Sequence, residues 1–169
     1  LPSGLKELYY NENSLTNLPD LPEGLEMINC DQNNLSLLPT FPASLVKIHC
    51  VENELKAIPE LPRGLRELKC SSNDLRELPK LPNDLEVLDC SNNEITQLPE
   101  LPNGLKSLYC SNNKLQKLPE LPGGLEILNC EGNHLSSLPL LPDSLVKLNF
   151  KGNHINYGTQ DIDAIRKMQ

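Results

Sequence analysis

The sequence repeats itself every 20 residues, and this period constrains the fold more than any other feature. Leu61-Pro-Arg-Gly-Leu-Arg-Glu-Leu-Lys-Cys70 aligns with Leu81-Pro-Asn-Asp-Leu-Glu-Val-Leu-Asp-Cys90. The second halves align equally well, Ser71-Ser-Asn-Asp-Leu-Arg-Glu-Leu-Pro-Lys80 with Ser91-Asn-Asn-Glu-Ile-Thr-Gln-Leu-Pro-Glu100. Eight copies fill the chain of 169 residues, and the last decays after Ile155. A unit this short cannot bury its own apolar face. It can do so only by stacking on its neighbours, so the columns of the repeat become the columns of a solenoid.

The fifth column is leucine throughout, from Leu5 to Leu145. The eighth is Leu or Ile from Leu8 to Leu148, and the fifteenth is Leu or Ile from Leu15 to Ile155. The tenth is Tyr10, then six cysteines, then Phe150. The first and eighteenth are apolar too, with Gly158 as the exception. With aromatics at 4% and no tryptophan, these aliphatic columns have to supply the core. Positions eight and ten alternate with polar positions seven, nine and eleven. That is the period-2 signature of a short strand with one buried face. Stacked turns pair such strands into a parallel sheet with a spacing of about 4.8 Å. Positions seven, nine and eleven are then expected on the open, concave face.

The thirteenth column is asparagine in every copy: Asn13, Asn33, Asn53, Asn73, Asn93, Asn113, Asn133 and Asn153. Chain reversal after the strand leaves backbone groups without ladder partners. An amide carries donors and an acceptor, so an asparagine stack can satisfy them. All 15 prolines fall in the second or nineteenth column. They fix φ, remove donors and push their predecessors out of the α region, which predicts an extended, polyproline-II-like return limb without helix.

The C-terminus leaves the pattern. Residues 1–158 read as the repeat domain and 159–169 as a helical cap or linker. Thr159 or Asp161 is suited to cap a helix on which Ile162, Ile165 and Met168 share a face. The chain opens at Leu1 without a methionine and shows no N-terminal cap, so the expectation is a piece of a longer protein.

The net charge is -8 and the basic residues are scattered singly. A nucleic-acid binder needs a basic stripe, and an anionic membrane surface selects the same feature, so both partners are disfavoured. No apolar run is long enough to span a bilayer. Cys30, Cys50, Cys70, Cys90, Cys110 and Cys130 recur at a spacing of 20. As buried small hydrophobes they fill an interior column. Disulfides between rungs are opposed by in-register side chains that point the same way. Structural zinc needs close C-x-x-C grouping, which is absent. The thiol column points to a reducing compartment. His49 and Cys50 face opposite sides of a strand, whereas His134 and His154 share a column on consecutive rungs. Two exposed polar residues explain that pair as well as a surface metal site does. No nucleophile elbow, P-loop, dinucleotide fingerprint or HExxH motif occurs, so neither catalytic residues nor a bound cofactor are expected.

The full pattern, Leu-x-x-Leu-x-Cys-x-x-Asn-x-Leu-x-x-Leu-Pro-x-Leu-Pro-x-x, resembles the short bacterial-type leucine-rich repeat of the YopM-like and IpaH-like effectors that Gram-negative pathogens inject into host cells. The resemblance covers residues 1–157. It implies a leucine-rich-repeat solenoid with a parallel sheet on the concave face, acting in host cytoplasm as a module that binds a host protein. One alternative is the substrate-recognition domain of an E3 ubiquitin ligase whose catalytic domain lies outside these residues. Another is a bacterial surface or structural repeat protein. Two departures stand out. The catalytic domain of the IpaH-like ligases is absent here, and cysteine replaces their usual aliphatic in the tenth column.

Partner choice lives in the exposed strand positions. Val87, Tyr109 and Ile127 are expected within three consecutive rungs, rimmed by Asp89, Ser107 and Asn129. An apolar centre with a polar rim is how binding hot spots are built. A second candidate is Met27 with His49 and Val51. The opposing consideration is that single apolar residues on a strand face also serve β propensity. The twentieth column, with Asp20, Glu60, Glu100 and Glu120, reads as an acidic solubilising edge.

Overall fold

The structure, a computed structural model, describes residues 1–169. Its eight strands are β1 (Glu7–Tyr9), β2 (Met27–Asn29), β3 (Lys47–His49), β4 (Glu67–Lys69), β5 (Val87–Asp89), β6 (Ser107–Tyr109), β7 (Ile127–Asn129) and β8 (Lys147–Asn149). They form one sheet in sequential order, and every neighbouring pair is parallel. Each residue pairs with the residue 20 positions on, as Leu88 does with Leu108 and Leu108 with Leu128. The sequence period is therefore the register itself. The limbs between strands carry no helix, as the paired prolines predict.

Each strand is only three residues long. The ladder nevertheless runs one step further, because the Cys90 N–H donates to the Tyr109 carbonyl at 2.9 Å. Two residues later the chain turns through the left-handed region. Glu12, Gln32, Glu52, Ser72, Asn92 and Asn112 all have φ between 51° and 57°, and Gly132 and Gly152 have 64° and 67°. A residue with a Cβ adopts this conformation only at a cost. The turn also changes what position eleven does. Ser71, Ser91 and Ser111 were expected on the open face, yet they are buried, with at most 8% of their surface exposed. The chain has already begun to leave the sheet there.

The asparagine column closes this turn. Asn113 donates to the carbonyls of Cys90 at 3.0 Å, Cys110 at 3.2 Å and Ser111 at 3.2 Å. Its side-chain oxygen accepts the Ile95 N–H at 3.0 Å. One amide thus serves its own rung and the preceding one. The same arrangement recurs at Asn33, Asn73, Asn93 and Asn133. A second turn precedes each strand, where the Leu105 N–H donates to the Pro102 carbonyl at 3.0 Å and the Leu125 N–H to Pro122 at 3.0 Å.

The core is one continuous cluster of 39 buried residues drawn from the apolar columns. All six cysteines lie in it as free thiols. Burial drives their pKa values up, to about 12 for Cys30 and Cys130.

The last rung is covered by helix α1 (Ile162–Arg166). Asp161, one of the two expected caps, accepts the Ala164 N–H at 2.9 Å. Thr159 instead accepts the Asp161 N–H at 3.0 Å. Ile165 is fully buried and Ile162 partly so, but Met168 is 59% exposed and does not share their packed face. The helix ends at Arg166, so Met168 no longer follows its periodicity. Arg166 donates to the carbonyls of Pro142 at 2.5 Å and Leu145 at 3.1 Å, and Gln169 donates to Pro139 at 2.9 Å. These contacts satisfy backbone groups that another rung would otherwise take.

Candidate functional site

The interior columns are consumed by stacking, so recognition has to come from side chains that point away from it. On the sheet these are positions seven and nine. Their registers bring the six expected residues of the main patch together. Val87, Ser107 and Ile127 form one row across β5, β6 and β7, and Asp89, Tyr109 and Asn129 form the parallel row. All six are half-buried, each partly covered by the flanking rungs but open to a partner. Two of the rim residues are held by their own backbone. Asp89 Oδ1 accepts the Ser91 N–H at 3.0 Å, and Asn129 Oδ1 accepts the Glu131 N–H at 3.3 Å. These groups are fixed in place before any partner arrives, which lowers the ordering cost of binding.

The second patch has a different character. Met27 lies across from Lys47 in the register, and His49 lies between Asn29 and Lys69. His49 Nε2 sits 3.0 Å from Glu67 Oε1, while Lys69 and Lys47 reach the same carboxylate at 2.9 Å and 3.7 Å. The Val51 N–H donates to Asp31 at 2.6 Å. Burial alone raises a carboxyl pKa, yet the donors Lys69 and His49 outweigh it and hold Glu67 below its ordinary value. His49 therefore belongs to an ion cluster centred on Glu67, with Met27 across from Lys47 in the register and Val51 bonded to Asp31. This cluster escaped sequence reasoning. Its one signal was opposite charge in the seventh and ninth columns of adjacent rungs.

Away from the sheet, a depression of about 540 Å³ lies between the Leu-Pro limbs of adjacent rungs, lined in part by Leu98, Leu101, Leu118 and Leu121. It is an open groove formed by the stacking itself and is remote from the sheet face, so the side-chain geometry of the sheet is the better guide. His134 and His154 do meet, with ring centroids 6.0 Å apart and planes 14° from parallel. No group of three or more His, Cys, Asp or Glu side chains converges on a common point. No helix is long and apolar enough to cross a membrane.

Short rungs, a parallel sheet in strict 20-residue register and an asparagine ladder define a leucine-rich-repeat solenoid. A family model described as leucine-rich repeats in two copies matches residues 63–103 and 83–123. YopM from Yersinia enterocolitica superposes with a TM-score of 0.92 at 43% identity, over 92% of this chain and 35% of that one. YopM from Yersinia pestis, described as a leucine-rich effector protein, gives 0.81 at 38% identity, over 85% of this chain and 42% of that one. A Shigella effector leucine-rich-repeat domain gives 0.78 at 31% identity, over 90% of this chain and 71% of that domain. The match thus spans less than half the length of either YopM. No curated protein matches the sequence significantly. The chain belongs to the leucine-rich-repeat family, in the short bacterial type to which these effectors belong.

Proposed function

We propose that this chain is the recognition module of a bacterial effector and that it captures a host protein on its sheet face. The observation that carries the reading is that Val87, Tyr109 and Ile127 fall on three paired rungs, in two adjacent rows completed by Asp89, Ser107 and Asn129. Tyrosine is favoured at such centres because it offers apolar area and a polar tip with few rotamers to lose. The interior of the same rungs is filled by leucine and cysteine, so these face residues are free to vary with the partner. The effector descriptions of two of the similar structures support the assignment to host-directed work. A buried column of six free thiols suits the reducing cytosol in which such a module acts. In this reading the module binds and does no chemistry of its own.

The test is capture from eukaryotic cytosol by the wild-type chain beside a Tyr109→Arg variant. A protein retained by the wild type and lost with the variant supports the reading. A protein retained equally by both places the interface elsewhere on the solenoid.

A further inference from the structure

The fourteenth column of the repeat runs along the edge of the solenoid, just past the left-handed turn. Its side chains meet across rungs. The Lys114 ammonium pairs with Glu94, and the Asn34 amide reaches Glu54 at 3.4 Å. In the last two rungs the column holds His134 and His154, stacked at 6.0 Å between centroids. Both are exposed. Their backbones are fixed, because the His134 N–H donates to Leu115 at 2.8 Å and the His154 N–H to Leu135 at 2.9 Å. Gly132 and Gly152 stand two residues before them, at the left-handed turn. Neither ring makes a hydrogen bond to protein, in contrast to His49, which is engaged by Glu67. The adjacent cation, Lys114, is drawn away towards Glu94.

We propose that His134 and His154 form a two-histidine site for a borderline divalent transition-metal cation of the Zn²⁺ or Ni²⁺ class. Imidazole nitrogen suits these ions. Bond lengths of about 2.0–2.1 Å require the two coordinating nitrogens to lie roughly 3 Å apart. Rungs stacked at about 4.8 Å supply nearly the right separation between backbones. Rotation of the exposed rings about their side-chain bonds brings the outer nitrogens together. With no third protein ligand at hand, water completes the coordination shell and the site stays open. The softer thiols do not compete, because they are buried and burial keeps them protonated. A bound ion ties the seventh rung to the eighth.

The experiment is a Zn²⁺ titration of the full chain by calorimetry, read in parallel by the imidazole signals in NMR. The expected result is one saturable site that perturbs His134 and His154 and leaves His49 unchanged. Both His134→Ala and His154→Ala lose it while melting like the wild type without metal. The proposal is overturned if no saturable binding occurs, if His154→Ala binds Zn²⁺ as well as the wild type does, or if the perturbed signal is that of His49.

Discussion

Leu108 and Tyr109 are neighbours in the chain, yet β6 sends them to opposite sides of the sheet. Leu108 is fully buried against Leu88 and Leu128, its register partners, while Tyr109 is half open between Asp89 and Asn129. The inward columns barely change from rung to rung. The ninth column changes at nearly every step, through Tyr9, Asn29, His49, Lys69, Asp89, Tyr109 and Asn129. The difference teaches that stability is carried by the inward columns, which leaves the outward ones to the recognition proposed above. Inward residues have to match their copies above and below. Outward residues have only to tolerate exposure, so they are available for a partner.

If that separation is real, inward changes unfold the chain and outward ones do not. The largest effect is expected from Leu108→Ala, at about 2–5 kcal/mol of stability, measured by denaturant unfolding. Asn113→Ala follows at roughly 3 kcal/mol, because it strands three carbonyls and the Ile95 N–H in a buried setting. Asn13 bonds only carbonyls of its own rung, those of Tyr10 and Asn11, so in this chain Asn13→Ala should cost about 1 kcal/mol or less. Equal losses at the two asparagines would break the claim that the ladder works between rungs.

The thiol column sharpens the same contrast through pH. For Cys30 and Cys130 the folded pKa is about 12 against an ordinary value of 9.0. Raised folded values mean that the unfolded chain loses these protons first. The stabilisation is complete below about pH 9 and is lost as pH rises towards 12. Each such thiol costs about 1.4 kcal/mol per pH unit within that window. Unfolding curves taken from neutral to alkaline pH check the slope, and native thiols should resist alkylation until the chain opens. On the outward side, Tyr109→Ala should leave stability within about 0.5 kcal/mol and weaken partner binding by roughly 1–3 kcal/mol. The smallest effect is expected at the turn. Glu52→Gly relieves a left-handed residue with φ 54° and should raise stability by up to about 1 kcal/mol.

The solenoid, its register and its asparagine ladder were legible because each is written eight times in the sequence. A column of Asn13 to Asn153 admits few explanations other than a repeated backbone duty. The left-handed turn was not legible. Its residues run from Glu12 and Gln32 to Gly152, and backbone conformation there is imposed by the ladder on whatever side chain is present. The burial of Ser71, Ser91 and Ser111 was missed for a related reason. Strict alternation was extended past the point where the turn takes the chain off the sheet. On the sheet face, the grouping of Val87, Tyr109 and Ile127 on three consecutive rungs followed from register alone. The Glu67 cluster did not, since long side chains pair diagonally and choose among several neighbours. The identity of a partner depends on the variable columns, and one sequence samples each of them once.

The most direct measurement is to follow thermal melting and capture from eukaryotic cytosol together for Tyr109→Arg. The account predicts a melting curve like that of the wild type and loss of the captured protein. Capture that survives the substitution, or that is lost only because the chain unfolds, would contradict it.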